Sequence, residues 1–443
     1  VDYVSPDHPE YDELRRVFNV AIDRRPAVIA RCATPGDVAA ALDRARLDGL
    51  EVAVRSGGHS VSGLSVNDGG LVIDVRPMKE IIIDAQARTA RVGGGVTWGE
   101  FDAAAQAHGL VVTGGRATST GVSGYTLGGG DGWLARAFGL ACDNLLAVEL
   151  VTADGRIVRA SESENPDLFW ALHGGGGNFG VATAFEFRLH RLGPVVYGGL
   201  AAWGVDRAVE VARAFRDFAE AAPEAFGGGL LMMPAGQDDG IPPHLHHQTV
   251  AAYALVYAGD ADEGREVLRP LLDLEPEINQ VGHVPYTDFQ VSLTDPPGFR
   301  HYWSADFHDA FPDPAIDVFV DSGVNRATAM TQQILFPWGG AIARIGEDET
   351  PIAHRATPWV THPFAIWLDP EDTPAAIAWA RKFRRDIAQH TNGGVYLNYI
   401  GNEGEERVRA AFGEAKYARL AEIKARYDPE NVFRGNQNIR PAR

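Results

Sequence analysis

The sequence predicts an α+β chain of two domains with a short returning tail, and three observations carry that reading. The chain has 443 residues, 45% of them hydrophobic, enough for more than one large core. Short strand-like and helix-like stretches alternate up to about residue 190. A break at Leu192-Gly193-Pro194 then opens a second pattern of longer helical and strand-like runs. The expected division is 1–193, 194–395 and 396–443.

Thr34-Pro35 opens a helix, with Thr as cap and Pro in the first turn, and Gly49 ends it. Glu51 to Val54 leads as a strand into a Gly-rich turn, and Leu71 to Val75 is a short apolar strand. Ile81-Ile82-Ile83 and Ala90-Arg91-Val92 flank a polar turn as a hairpin. Thr97-Trp98-Gly99-Glu100 is a capping box that starts the next helix. Val148 to Val158 reads as a hairpin turning at Asp154-Gly155. Beyond the break, Arg207–Ala221 and Pro374–Gln389 read as helices, and Gln248–Tyr257 and Gln333–Ala343 as strands. The tail carries one amphipathic helix from Glu405 to Tyr427, then a polar ending.

Composition narrows the function classes. A net charge of −19 repels nucleic acid and anionic membranes, so neither is an expected partner. No apolar run approaches the roughly 18 residues of a membrane span. Cys32 and Cys142 match no zinc motif or disulfide framework and read as two reduced, packed thiols. His244-Leu245-His246-His247 lacks a second pair of ligands and reads as a solvated loop, so no metal is expected. The start, Val1-Asp2-Tyr3, resembles neither a signal peptide nor a normal beginning and implies trimming. The default location is cytoplasmic, with secretion after signal removal left open.

Glycine clusters where chemistry is to be sought. Arg55-Ser56-Gly57-Gly58-His59-Ser60-Val61-Ser62-Gly63 follows a strand and offers backbone N–H groups in a concave turn, a cradle for a pyrophosphate. Thr118-Ser119-Thr120-Gly121-Val122-Ser123-Gly124-Tyr125-Thr126-Leu127-Gly128-Gly129-Gly130 lets a flat ring system lie against backbone. A third cluster is Gly174 to Gly180. None has the G-x-G-x-x-G context of a nicotinamide site. On these residues alone His59 reads first as a turn histidine bonded to backbone, Thr120 equally as a packed side chain, and Tyr399 also as a core tyrosine on a strand.

The order of these pieces resembles the berberine-bridge-enzyme-like FAD-linked oxidases, a mono-covalent bacterial type within the vanillyl-alcohol-oxidase/PCMH flavoprotein superfamily. The matching stretches are Arg55–Gly63, Gly121–Gly132, Gly139–Asn144, Asn165–Gly180, Tyr396-Leu397-Asn398-Tyr399, and Tyr427–Phe433 followed by Gln437-Asn438-Ile439. They span nearly the whole chain. The resemblance implies a PCMH-type FAD-binding domain of two α/β subdomains, made from both chain ends. It also implies a middle substrate domain whose antiparallel sheet, flanked by helices, roofs the flavin.

The resemblance further implies FAD bonded at its 8α-methyl carbon to His59. FAD contacts are expected at Arg55, Ser56, Gly57, Gly58, Ser60, Gly63, Thr118, Ser119, Gly121, Gly124, Gly128, Val181, Asn436 and Asn438. The second, cysteinyl link of many relatives falls at Ala117 here, so one bond is expected, not two. Thr120 falls at the gatekeeper position and favours access for O2. Tyr399 falls at the catalytic base, and Tyr125 at a slot beside the ring or the substrate. An alternating strand would set Tyr399 on the face of Leu397, opposite Tyr396 and Asn398. A free tyrosine has a pKa of about 10, so a base at this position needs a cation or a strong hydrogen bond. Arg344 and Lys382 are candidates.

The implied reaction is hydride transfer from an alcohol, amine or sugar-type carbon to flavin N5, with reoxidation by O2 to hydrogen peroxide, on a small molecule of secondary metabolism. The alternatives are an O2-insensitive dehydrogenase, an oxygenase working through a flavin–oxygen adduct, and a non-catalytic ligand-binding protein. A monomer or a homodimer is expected.

Overall fold

The computed structural model describes residues 1–238, 240–292 and 297–443. Its first sheet has four strands in the order Asp2–Val4, Val28–Arg31, Leu71–Asp74, Val52–Arg55. Val28–Arg31 and Val52–Arg55 both run parallel to Leu71–Asp74. The intervening helix, Pro35–Asp48, starts where its sequence says: Thr34 Oγ1 accepts from the Asp37 N–H at 3.2 Å, and Gly49 closes it at φ +65°. Because Val52–Arg55 is parallel to its neighbour, its C-terminal end opens into a loop at the sheet's edge. That loop is Ser56–Gly63, placed where open α/β sheets take ligands.

The second sheet has five strands, in the order Ile81–Asp84, Thr89–Gly93, Val181–Arg188, Leu145–Val151, Ile157–Ser161. Both expected hairpins form, with Ile83 opposite Ala90 and Val151 opposite Ile157. Val181–Arg188 wedges between them, antiparallel to both.

From Val195 onward the chain builds a nine-stranded sheet, counted among the described residues. Its centre is Val195–Gly204, Thr249–Tyr257, Phe226–Pro234, Gln332–Pro337 and Trp359–Trp367, each antiparallel to its neighbour. Period-two alternation divides its side chains. Leu230, Met232, Tyr253 and Leu335 pack on Phe215, Phe319 and Phe383 of the covering helices Ala208–Ala221, Asp313–Val324 and Thr373–Ile387. Leu231, Ile334 and Phe336 face the other way, toward Trp133 and Tyr396. The sheet thus roofs the first two.

Three expected elements differ. Gln333–Ala343 is a strand only over Gln332–Pro337; a short helix, Ala341–Arg344, follows once Gly339 and Gly340 turn the chain at positive φ. The tail helix is two helices, Glu405–Phe412 and Glu414–Tyr427, parted by Gly413 at φ +74°. The segment around Tyr399 is a 3₁₀ turn, Leu397–Tyr399, instead of a strand. Among the described residues no helix is long and apolar enough to cross a membrane, and no group of three or more His, Cys, Asp or Glu is placed to hold a metal.

Candidate active site

A cavity of about 770 Å3 lies where the three sheets meet. Its floor is mostly backbone. The Ser56–Gly58 turn crosses the start of the Val122–Leu127 helix so closely that a Cβ on Gly57 would lie 2.2 Å from the Gly121 nitrogen, and one on Gly121 would lie 2.2 Å from the Gly57 nitrogen. Ser56 Oγ donates to the Gly94 carbonyl at 2.8 Å and pins the crossing. Gly124, Gly128, Gly174–Gly177 and, from the chain's end, Gly435-Asn436-Gln437 complete this wall. A trough walled by glycine backbone fits FAD, whose pyrophosphate is bound by backbone and whose rings need flat contact. Among the described lining residues only Arg116 and Asp131 come from the Asp, Glu, Lys and Arg set.

His59 is half-buried in the wall. Its Nε2 is 2.9 Å from Ser119 Oγ and its Nδ1 3.3 Å from Thr120 Oγ1, and its ring stacks on Phe18 at 4.2 Å. Burial lowers its pKa to about 4, so the ring is neutral and keeps a nucleophilic nitrogen lone pair at neutral pH.

Tyr399 stands across the cavity. In the 3₁₀ turn residues three apart eclipse, so Tyr399 shares a side with Tyr396 instead of with Leu397. The Tyr396 hydroxyl accepts from the Gly130 and Asp131 N–H groups at 2.6 and 2.9 Å, which fixes the strand of chain bearing Asp131. The Tyr399 hydroxyl donates to Asp131 Oδ2 at 2.6 Å and accepts from Arg116 Nη1. Arg116 Nη1 also reaches Asp131 Oδ2 at 3.1 Å, and its guanidinium lies over the rings of Phe336 at 3.9 Å and Trp133 at 4.7 Å. The cation beside Tyr399 is therefore Arg116. Arg344 pairs with Glu224 and Lys382 with Asp386, both on the surface. Burial pushes the Tyr399 pKa well above 10; Arg116 opposes this and Asp131 reinforces it. Tyr399 thus rests as a phenol with its proton directed at a carboxylate.

The remaining expected residues divide. Ser60, Thr120, Gly124, Tyr125, Gly128 and Asn436 line the cavity with His59. Tyr125 meets Trp98 edge-on at 5.2 Å, and a Cβ on Gly128 would collide with Asn398 Oδ1 at 2.0 Å. Arg55, Gly63, Thr118, Ser119, Val181 and Asn438 stand behind the wall. Arg55 supports the Gly58 turn from beneath and donates to the Leu14 carbonyl. Gly63 turns at φ +70° against Ile22. The Thr118 carbonyl accepts from the Gly99 N–H at 2.8 Å, and Val181 is buried in the core of the first sheet, so Gly180 and Ala182 line the cavity in its place. Asn438 Oδ1 is buried with no partner. His247 lines the cavity mouth, so its histidine-rich loop is not wholly solvated. Trp303 is a wall residue, whereas Trp338 is core.

Arg116, Asp131, His362 and Phe18 were not singled out by sequence. The available signal was charge in unlikely places: Asp131 follows three glycines, and Arg116 follows two.

Comparison with known proteins agrees with this geometry. Residues 26–161 match the model of an FAD binding domain, and residues 395–440 that of the berberine and berberine-like family. The chain is 32% identical over 98% of its length to the FAD-linked oxidoreductase YvdP of Bacillus subtilis (strain 168), covering 97% of that protein. It is 31% identical over 99% of its length to (R)-6-hydroxynicotine oxidase of Paenarthrobacter nicotinovorans, covering 96% of it. The structure of 6-hydroxy-D-nicotine oxidase from Arthrobacter nicotinovorans superposes with a TM-score of 0.89 at 27% identity, over 100% of this chain and 98% of that one. With a glycine trough of this form between two sheets and a roofing third, the chain belongs to the berberine-bridge-enzyme-like FAD-linked oxidoreductases, α+β flavoproteins of the PCMH type, and is an FAD-dependent oxidoreductase.

Proposed function

We propose that the protein is an oxidase that removes a hydride from a carbon bearing an O–H or N–H group in a small molecule, with Tyr399 as the base. The observation that carries this reading is the Tyr399 hydroxyl, inside the cavity and 2.6 Å from the carboxylate of Asp131. FAD held in this trough would supply the two-electron acceptor, with O2 as the terminal oxidant and hydrogen peroxide as its product. The protein's part is orientation and proton movement. As the substrate O–H breaks, its proton goes to the Tyr399 oxygen, and the proton Tyr399 held goes to Asp131 Oδ2. Charge moves one residue away from the reacting carbon, and Tyr399 need not ionise in advance, which its burial opposes. Arg116 holds oxygen atoms of both groups in line. In the same reading His59 holds FAD by a bond from a ring nitrogen to the 8α-methyl carbon, and Thr120, small and beside His59, leaves space for O2.

Anaerobic flavin bleaching tests the proton path. Tyr399→Phe is expected to slow reduction by about two to four powers of ten, the scale of a positioned base. Asp131→Asn is expected to slow it at neutral pH and to recover as pH rises, because hydroxide can then take the tyrosine proton. Reduction of Tyr399→Phe at the parent rate would remove Tyr399 from the mechanism; an Asp131→Asn deficit equal at every pH would remove the relay alone. Stopped-flow mixing of the reduced enzyme with air separates an oxidase from a dehydrogenase, and isotope-labelled O2 separates both from an oxygenase, which would leave label in the product.

A further inference from the structure

We infer that the substrate is a flat molecule without an anionic group, with an apolar body and a single hydroxyl or amine at its reacting end, and that carbohydrates and anions are poor ligands. The inference deepens the oxidoreductase reading of the same cavity.

Strand register carries it. Leu231 lies opposite Ile334, and Ile334 opposite His362, which makes one rung across three strands. One pleat further on, Gln332 lies opposite Phe364, and Phe364 opposite Trp303. All six line the cavity. Four of them are apolar, and Trp303 and Phe364 stack at 4.5 Å and 23° into a flat plate. A sugar needs a hydrogen-bonding partner for most of its hydroxyls, and burying them without one is costly. This roof offers two polar groups. One is the Gln332 amide. The other is His362, whose Nδ1–H donates to the Ser304 carbonyl at 2.8 Å, leaving Nε2 as an acceptor. The His362 ring stacks on Tyr399 at 4.3 Å, so the roof's polar character gathers at the reacting end.

Charge points the same way. Arg116 and Asp131 pair with each other. Among the described lining residues no other Asp, Glu, Lys or Arg is present to neutralise an ionised substrate. A carboxylate brought here would lie near Asp131 or lose its solvation without a counterion.

Anaerobic titration of the holoenzyme with small ligands, read by the immediate shift in flavin absorbance before any bleaching, tests this. From 4-methyl- to 4-propylphenol the affinity is expected to rise about fourfold per methylene, the ordinary worth of a buried CH2. 4-Hydroxyphenylacetate, of similar shape but anionic, should bind roughly tenfold or more weaker than 4-propylphenol, and cellobiose should produce no shift. Phe364→Ser should flatten the alkyl series. An affinity independent of chain length, or cellobiose or the carboxylate binding as tightly as 4-propylphenol, overturns the inference. Tyr399→Phe holoenzyme should show the same binding series. Normal bleaching by that variant would therefore sink the proton path while leaving the substrate class standing.

Discussion

His59 shows how much a single residue owes to its immediate neighbours. Two hydroxyls from the adjacent loop fix both ring nitrogens, Phe18 covers one ring face, and burial keeps the ring uncharged. No thiol is found among the described lining residues. Ala117 lines the cavity, and Cys32 and Cys142 are buried outside its lining, with the Cys142 pKa raised well above that of a free thiol. Acid-precipitated parent protein is therefore expected to keep its yellow colour, and His59→Ala to release all of it to the supernatant. A yellow pellet from His59→Ala would mean that another residue holds the flavin. His59 was legible in the sequence because an imidazole within a glycine turn is conspicuous and the motif around it is long. Arg116 and Asp131 were not, because their meaning lies in their contact with a tyrosine more than 260 residues away in the chain.

At the scale of elements, the helix Trp98–Gln106 is coupled to Tyr286–Ser292 of the roofing region through a buried carboxyl. Gln290 Nε2 donates to Asp102 Oδ2 at 3.1 Å and to the Gly115 carbonyl at 3.2 Å, next to Arg116. Burial raises the Asp102 pKa to about 7, with Gln290 only partly offsetting it. An unfolded aspartate has a pKa of about 3.9, so between roughly pH 4 and 7 the folded chain binds the extra proton and stability falls as pH rises through that window. Asp102→Asn keeps the shape and removes the ionisation. It is expected to raise the melting temperature at pH 8, where the penalty is of the order of a few kcal/mol, and to leave it unchanged near pH 4. Equal effects at both pH values would mean that the carboxyl does not titrate in this range. Elements governed by local rules, such as the capped helix Pro35–Asp48 and the two hairpins, were legible in the sequence. The 3₁₀ turn at Tyr399 was not, because Tyr-Leu-Asn-Tyr satisfies a strand's alternation equally well, and the anchoring of Tyr396 on Gly130 and Asp131 decides against it.

The whole molecule carries a collective pH dependence. His190, His301, His308 and His362 are held neutral by burial, with pKa values lowered to about 4, 3, 4 and 3. Unfolded, each would titrate near pH 6.5, so their contribution to stability is full above that pH and is lost as pH falls toward 3 to 4. Stability is expected to fall by a few kcal/mol per pH unit between pH 6.5 and 4.5, and the melting temperature to drop with it. A flat profile over that range would mean that the folded protein accommodates these rings as cations. At this scale the sequence revealed the α+β class and the cofactor, since motifs from both chain ends point to one flavin. The apolar roof came only from strand register.

One consequence follows from how the chain's last segment is fastened. Lys424 and Asp428, both fully buried, form an ion pair at 2.7 Å; Lys424 also donates to the carbonyls of Asn178 and Phe433, and Asp428 accepts from the Val432 and Phe433 N–H groups. This knot seats Gly435-Asn436-Gln437 against the trough. The trough is thus closed along one flank by a contact between residues 259 positions apart, Asn436 and Gly177. Loss of the Lys424–Asp428 pair would loosen that flank without touching any residue at the reacting end.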